Sequence, residues 1–209
     1  MHPEKIRPLE APFNQKVRIA ALRIAFAAML PLLILTQSRW TATPGVAMLL
    51  ETLGIIGIFT AVLGRFWAIL YIGGRKNTTV MQEGPYSICR HPLYLFSTVG
   101  AAGFGLMLGS LVLAGILGGV TFFILSLTAA REEVFLRRAL GAEYEVYASG
   151  VPRMLPALNK FHTPELVTFD TATLTRNAAD ALVFVALIPL AEILQWVRAL
   201  ELLPSLLLV

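Results

Sequence analysis

The sequence has few charged residues and a single cysteine, and each shortage excludes a class of protein. Charged residues make up 14% of the 209 positions, and 56% are hydrophobic. Soluble domains usually carry about 25% charged residues. The composition therefore favours a membrane-embedded chain of single-domain size. One cysteine, Cys89, excludes an internal disulfide framework and any CxxC redox or zinc pattern.

We also expect neither a protein-held metal site nor a cleavable leader. The histidines His2, His91 and His162 show no HExxH or other ligand spacing, so we expect no protein-held metal. The polar, basic residues 1–18 contain no early apolar core and no small-residue cleavage site, and we expect them to form a cytoplasmic segment. The net charge of +4 is spread between apolar runs. Nucleic acid is therefore not an expected partner, since binding it requires a basic face with interleaved aromatics.

Five apolar runs are long enough, or nearly so, to cross a bilayer core of about 30 Å, which takes about 20 helical residues. They cover residues 19–37, 46–64, 93–108, 111–130 and 178 onward. Only two residues, Gly109 and Ser110, separate the third run from the fourth, so these two should form an antiparallel hairpin. Pro189 and Glu192 interrupt the fifth run and leave its limits open. The predicted fold is all-α and polytopic, with one membrane domain over residues 1–209.

Lysine and arginine are distributed unevenly between the two sides of these runs. Fifteen of the seventeen lie in residues 1–23, 65–92 and 131–176, which alternation places on one side, and only Arg39 and Arg198 lie on the other. By the positive-inside rule, the basic side is cytoplasmic. We therefore expect an integral protein of a bacterial inner membrane, with its N-terminus in the cytoplasm and its C-terminus on the opposite side.

The polar residues that need an explanation lie in two predicted cytoplasmic segments, 64–94 and 131–156. In the first, a Gly-Pro pair signals a turn, and Pro92 disfavours helix at the residue before it, so the backbone between them should be non-helical at the membrane boundary. Such backbone is tolerated there only where protein or a wet cavity satisfies it. Arg90 and His91 either face such a cavity or act as an interfacial anchor and a helix cap. The residues alone leave both interpretations open.

The second polar segment continues the fourth apolar run, since nothing breaks a helix before Gly141. Glu132 and Glu133 lie a few residues beyond the apolar run, where a carboxylate can reach an ammonium group at the interface. Glu133 and Arg137 are four residues apart and should pair on a solvated helix face. A charged, exposed helix end explains the same residues, so this segment by itself also leaves two interpretations.

The two segments in this order resemble the isoprenylcysteine carboxyl methyltransferase and phospholipid methyltransferase superfamily. The first carries the pattern GPYxxxRHPxY, and the second carries EExxLxxxxGxEYxxYxxxVPRxxP. The matching residues are Gly84, Pro85, Tyr86, Arg90, His91, Pro92, Tyr94, Glu132, Glu133, Leu136, Gly141, Glu143, Tyr144, Tyr147, Pro152, Arg153 and Pro156. The resemblance covers residues 50–156. It departs at Phe96, where many members have a small residue, and at Leu140, where an aromatic is usual.

The resemblance implies a pocket for S-adenosylmethionine at the cytoplasmic side of the helical bundle, with S-adenosylhomocysteine as the product. Residues implied in cofactor binding are Gly84, Tyr86, His91, Pro92, Tyr94, Glu132 and Glu133. The implied methyltransferase core is residues 50–156. Outside the resemblance, we expect a cytoplasmic connector over 157–177 and a C-terminal membrane helix or helices over 178–209.

The resemblance also implies a lipidic or small amphipathic methyl acceptor, in contact with membrane lipids. The preferred acceptor is the carboxylate of an isoprenylcysteine-like molecule, and the alternative is the amine of a phospholipid. Arg90 and Arg153 are the candidates to orient a carboxylate, because a guanidinium fork matches its geometry. An amine would lose its proton to Glu133 or Tyr94. Residues expected to contact the acceptor are Phe96, Tyr144 and Tyr147.

Two other functional classes remain open. One is a membrane reductase that uses a nicotinamide cofactor, and the other is a non-enzymatic membrane subunit such as a channel or transporter. The ordered pair of motifs favours the methyl donor over both. The sequence leaves the natural acceptor and the oligomeric state undecided.

Overall fold

A computed structural model describes residues 15–38, 40, 43–72, 79–200 and 206–208. Residues 1–14 of the predicted N-terminal segment lie outside this description. The α-helices are α1 Gln15–Leu35, α2 Pro44–Ile72, α3 Pro85–Ile88, α4 Pro92–Met107, α5 Leu111–Gly150, α6 Thr171–Leu182 and α7 Leu187–Ala199. A 3-10 turn covers Leu158–Lys160, and two short strands, β1 Thr36–Ser38 and β2 Leu206–Leu208, pair in parallel. The predicted all-α class is confirmed apart from this short ladder.

Within the described residues, four helical runs are long and apolar enough to cross a membrane, and α4 is a shorter apolar helix of 16 residues. The four are Lys16–Leu35, Pro44–Ile72, Leu111–Gly150 and Thr171–Arg198. Two contacts show that the passes alternate. β1, which follows α1, pairs with β2 beyond α7, and Ser38 donates a hydrogen bond to the carbonyl of Gly109 in the α4–α5 turn. The predicted integral membrane architecture is confirmed, whereas the side that faces the cytoplasm stays a prediction.

The predicted hairpin between α4 and α5 is confirmed. Gly109 has a φ of 73°, and the Ser110 side chain caps α5 by accepting a hydrogen bond from the Leu113 N–H at 3.2 Å. The two helices approach closely, because a Cβ on Gly105 would lie 2.3 Å from the backbone nitrogen of Ala114. This close packing makes α4 and α5 one rigid unit, which positions the residues at their polar ends.

Most of the core lies among α2, α4 and α5, and α1 buries a smaller share of its residues. Buried residues of the core include Ile58, Phe104, Met107 and Leu113. In the most apolar 18-residue stretch of each helix, only 6% of α1 is buried inside the protein, compared with 28% of α2 and 33% of α5. α1 therefore forms mainly an outer wall, although Leu33 near its end is completely buried in the core.

Three predicted boundaries need correction. The fifth pass begins at Thr171, inside the predicted connector, because Asp170 caps α6 by accepting a hydrogen bond from the Thr173 N–H. The interruption falls at residues 183–186, whereas Pro189 lies in the first turn of α7, where its missing N–H does no harm. The second pass continues past residue 64 to the end of α2.

The prediction of non-helical backbone before α4 is only partly right. A single helical turn, α3, interrupts the irregular stretch, which resumes at Cys89 and ends at α4. The prediction that nothing breaks the long helix before Gly141 is confirmed, and the non-helical backbone of Gly141 (φ 59°, ψ −135°) separates two helical parts of α5 by a kink. The second part of α5 can therefore turn towards the segment before α4.

Candidate active site

The two polar segments meet, and hydrogen bonds between their main chains hold them together. The bonds, donor first, are Arg90 to Pro152 at 2.9 Å, His91 to Arg153 at 3.2 Å and Ala157 to Ile88 at 2.9 Å. The irregular backbone at the start of α4 is therefore satisfied by protein groups, as a position near the membrane requires. Each motif fixes the shape of the other.

Cys89 lies in the middle of this junction and is completely buried. Its Sγ lies 3.4 Å from the carbonyl oxygen of Arg153 and 3.3 Å from that of Met154. Burial raises the pKa of the Cys89 thiol to about 11. The thiol therefore stays protonated at neutral pH and donates to these carbonyls, so we assign Cys89 a structural role.

Gly84 starts the first motif with a backbone that other residues rarely adopt. Its φ is 57°, and a Cβ at this position would lie 2.4 Å from the ring of Tyr71. Its N–H donates to the carbonyl of His162 at 2.8 Å, which ties the motif to the connector after α5. The requirement for glycine here comes from the turn and from Tyr71, and Gly84 does not line the cavity described below.

Glu133 on α5 is completely buried within a cluster of cationic side chains. Arg153 binds it through two parallel hydrogen bonds, Nε to Oε1 and Nη2 to Oε2, each 2.9 Å long. Nε2 of His91 lies 3.2 Å and Nε of Arg90 lies 3.4 Å from Oε1. The hydrogen bonds that Arg153 donates to the Glu133 carboxylate raise the pKa of the Arg153 guanidinium. This charged cluster joins α5, the start of α4 and the segment after α5.

The predicted pair between Glu133 and Arg137 forms, but its surroundings differ from the prediction. Nη2 of Arg137 lies 3.7 Å from Oε2 of Glu133. The sequence predicts a solvated helix face, whereas the carboxylate has no exposed surface. The prediction of a solvated face is wrong because the kink at Gly141 brings the following chain back over this part of α5.

Glu132, the preceding residue, faces a large cavity. The cavity has a volume of about 1140 Å³, and 21% of the Glu132 side chain is exposed. Nη1 of Arg18 lies 3.9 Å from Oε1 of Glu132, and Nδ1 of His91 lies 3.8 Å from Oε2. The imidazole of His91 therefore lies between the two carboxylates, with one nitrogen towards each.

Aromatic side chains form much of the wall at the polar end of the cavity. The ring of His91 stacks on that of Tyr94, with centroids 5.4 Å apart and planes within 5°. The Tyr94 hydroxyl accepts a hydrogen bond from Nη1 of Arg18 at 2.7 Å. Tyr86 and Tyr144 also line the cavity, and their buried hydroxyls have no hydrogen-bond partner within the part of the chain that the structure describes.

The cavity continues as an apolar space between α1 and the α4–α5 hairpin. Arg18, Leu22 and Phe26 line it from α1, and their spacing of four residues places them on one helix face. The other apolar residues that line it include Phe104, Leu117, Leu125 and Leu187. One continuous cavity therefore offers a charged, aromatic end and an apolar end.

The structure brings most of the predicted site residues to this cavity. Those that line it are Tyr86, Arg90, His91, Pro92, Tyr94, Glu132, Tyr144 and Tyr147. Glu133 and Arg153 lie behind this wall. Phe96 packs against Gly64 and Trp67 and does not line the cavity, whereas Leu140 does.

Sequence reasoning missed four charged residues that line the cavity: Arg18, Arg23, Arg65 and Asp180. Arg18 and Arg65 were counted only as markers of membrane topology. The available signal was their position inside apolar helices, where charged residues are rare and usually face a cavity or a partner. Among the described residues, no group of three or more His, Cys, Asp or Glu side chains is placed to hold a metal ion.

Comparison with known proteins identifies one family and several relatives. A family model described as phospholipid methyltransferase matches residues 26–143. No solved structure matches.

Two bacterial relatives cover nearly the whole chain. The cobalt-zinc-cadmium resistance protein CzcN of Cupriavidus metallidurans is 35% identical over 191 residues, which cover 91% of this chain and 88% of the relative. The nickel-cobalt-cadmium resistance protein NccN of Alcaligenes xylosoxydans xylosoxydans is 34% identical over 203 residues, 94% of each chain. A plant relative, protein-S-isoprenylcysteine O-methyltransferase B of Arabidopsis thaliana, is 30% identical over 128 residues, 60% of this chain and 64% of the relative.

Proposed function

The chain belongs to the phospholipid methyltransferase family, and on this basis we propose that it is an integral membrane methyltransferase that uses S-adenosylmethionine. Its acceptor is lipidic or small and amphipathic. The observation that carries the proposal is the single cavity, in which Glu132 and a group of aromatic residues meet an apolar space between α1 and the α4–α5 hairpin. A polar cofactor and an amphipathic acceptor can meet where the two parts join.

The residues at the polar end fit the chemical groups of S-adenosylmethionine. The Glu132 carboxylate can accept hydrogen bonds from an ammonium group. The buried hydroxyls of Tyr86 and Tyr144, which have no partner among the described residues, can bond to the polar groups of the cofactor. The stacked rings of His91 and Tyr94 form an aromatic wall beside these groups, and the Tyr94 ring already holds the Arg18 guanidinium, whose Cζ lies 5.4 Å from the ring centroid.

The protein itself has mainly to align and enclose the reactants. When bound, the cofactor would supply a methyl group activated by its sulfonium for transfer to the oxygen or nitrogen of the acceptor, and S-adenosylhomocysteine would leave as the product. A carboxylate acceptor is already deprotonated and needs no general base, whereas an amine must first lose a proton. Of the two predicted bases, Tyr94 lines the cavity and Glu133 is bound to Arg153 behind its wall. Alignment alone can contribute about 7–11 kcal/mol in well-oriented systems.

Arg90 and Arg153 build the wall of the site under this proposal. Arg153 uses Nε and one terminal nitrogen for Glu133, and Nη1 of Arg90 donates to the carbonyl of Ala148 at 3.0 Å. Their contacts hold α5 and the start of α4 together, so we propose that both act as positioning residues. Direct contact with a carboxylate acceptor would then come from another part of the cavity.

The direct test is methyl transfer from radiolabelled S-adenosylmethionine to a panel of prenyl-thiol carboxylates, amines and phospholipids, with purified protein in neutral lipid. We expect labelled product from at least one amphipathic acceptor. Thermal stabilisation by S-adenosylmethionine and by nicotinamide cofactors should be measured on the same protein, because only the true cofactor raises its melting temperature. Stabilisation by a nicotinamide cofactor alone would contradict the proposal in favour of a reductase.

The two bacterial relatives favour a second candidate at the level of the cell. Similarity over more than nine-tenths of this chain to proteins named for metal resistance supports a contribution of this chain to tolerance of divalent metal ions. Expression in a cobalt-sensitive bacterium should then raise the tolerated cobalt concentration. If Glu132→Gln gives the same tolerance as the wild type, the contribution does not depend on the proposed cofactor site.

A further inference from the structure

Arg65 reaches the cavity from α2, outside both motif segments. Its Nη1 donates to the Ser97 hydroxyl at 2.7 Å and lies 3.5 Å from the Leu93 carbonyl oxygen. Its Nε is buried and has no hydrogen-bond partner among the described residues. A guanidinium carries five N–H donors, so Arg65 retains donors that these two neutral groups do not use.

Among the described residues, no carboxylate is hydrogen-bonded to Arg65. Asp180 lines the same cavity and interacts electrostatically with Arg65. Arg18 is the second guanidinium whose charge acts on Arg65, and it is already engaged with Tyr94 and Glu132. A cation held inside apolar helices is costly and usually marks a functional position.

The apolar part of the cavity begins beside this guanidinium. The ring of Phe184 lies 5.6 Å from the Cζ atom of Arg65, and Ala101 and Phe104 line the cavity further along α4. A ligand that fills both parts must join an apolar chain to a group that suits a guanidinium. Carboxylate and phosphate oxygens match the guanidinium fork.

We propose that Arg65, held in place by Ser97, binds the carboxylate or phosphate of an acceptor that carries an apolar chain. This deepens the proposed function, on which the description of the ligand as a methyl acceptor rests. It also transfers the role of orienting the anionic group from Arg90 and Arg153 to α2. Those two arginines already lie against Glu133, whereas Arg65 has donors available in the cavity.

The test is equilibrium binding of three probes of equal chain length to the protein in neutral-lipid nanodiscs. Dodecyl phosphate and dodecanoate carry the anion, and dodecanol does not. We expect Arg65→Gln to weaken binding of both anionic probes about tenfold or more, since a hydrogen bond to a charged group is lost. Binding of dodecanol should remain unchanged. Inorganic phosphate and acetate in the same assay show whether the apolar chain is required, and the ratio of the two anionic probes shows which oxyanion is preferred.

Asp180→Asn is the matched control. If Arg65 binds the ligand anion, removal of the neighbouring negative charge leaves the affinity for dodecyl phosphate unchanged or raises it. If Arg65 and Asp180 form only a structural pair, both substitutions lower the affinity for all three probes by the same factor. That result would overturn the proposal. Unchanged binding of the anionic probes by Arg65→Gln would also overturn it.

Ser97→Ala keeps the proposal testable if Arg65→Gln does not fold. It removes the hydroxyl that accepts the hydrogen bond from Nη1 of Arg65. We expect the affinity for the two anionic probes to fall several-fold while that for dodecanol stays the same. Wild-type affinity for all three probes would contradict the proposal. The result is separable from the methyltransferase proposal, because it does not require the cofactor. Protein that binds dodecyl phosphate through Arg65 but binds no S-adenosylmethionine would contradict the proposed function and leave this inference intact.

Discussion

Glu132 and Glu133 are neighbours in the chain but belong to two different regions of the molecule. Successive residues of an α-helix point about 100° apart, so one carboxylate faces the cavity and the other faces the chain that folds back over α5. Glu133 has no exposed surface and lies among Arg90, Arg153 and His91. Glu132 is 21% exposed, and its ion pairs with Arg18 and His91 measure 3.9 and 3.8 Å. The difference distinguishes a carboxylate that holds the wall together from one that faces the cavity.

The largest expected effect comes from breaking the buried region. Glu133→Gln removes the charge that neutralises Arg153 and Arg90, and loss of one partner of a buried ion pair costs about 3–5 kcal/mol. We expect the thermal unfolding midpoint in detergent to fall strongly. Glu143→Gln, at an exposed position of the same helix, is the control and should leave the midpoint unchanged. A midpoint for Glu133→Gln that equals that of the control would contradict the structural role of Glu133.

A smaller loss of stability is expected from Gly84→Ala. The backbone at Gly84 has a φ of 57°, and the added methyl group would meet the Tyr71 ring, so we expect a loss of about 1–3 kcal/mol from the strained conformation. Gly115→Ala is the matched control, because a Cβ there has nothing within 4 Å; alanine in a helix interior should stabilise by about 0.5–1 kcal/mol. Equal effects of the two substitutions would show that the turn before α4 does not need glycine.

The reactivity of the Cys89 thiol is a measure of how well the buried region is packed, and the expected effect on stability is small. Its pKa of about 11 lies above the usual value of 9.0, so the stabilisation from the protonated thiol is fully present below about pH 9 and is lost as the pH rises through about 11. At pH 8 the folded protein should react slowly with iodoacetamide. Reaction should become faster in Glu133→Gln and stay slow in Glu132→Gln. Fast reaction in the wild-type protein would contradict the buried, protonated thiol.

Much of this arrangement can be predicted from the sequence, because it depends on local signals. The asymmetry of Lys and Arg places both polar segments on one side of the membrane, and the Gly109-Ser110 pair predicts the hairpin. Both are local properties of the chain. The meeting of the two motif segments follows from these two properties together with the family resemblance.

The remaining features depend on helix rotation and tertiary packing, which hydropathy does not determine. The sequence presents Glu132 and Glu133 as equivalent, and only the packing around α5 decides which of them is buried. Arg18 and Arg65 are interpreted from the sequence as topology markers, since their neighbours across the cavity come from distant helices. Phe96 drew attention as a departure from the family pattern, yet its ring packs on Gly64 and Trp67.

The central claim is that Glu132 faces the cofactor while Glu133 holds the wall, and cofactor binding tests it most directly. The measurement is the equilibrium dissociation constant of radiolabelled S-adenosylmethionine for purified wild-type protein and for Glu132→Gln. We predict saturable binding by the wild type and binding about tenfold weaker by Glu132→Gln, as expected for the loss of one charged hydrogen bond, with no change in the unfolding midpoint. The absence of saturable binding by the wild type, or equal affinity of the two proteins, would contradict the claim.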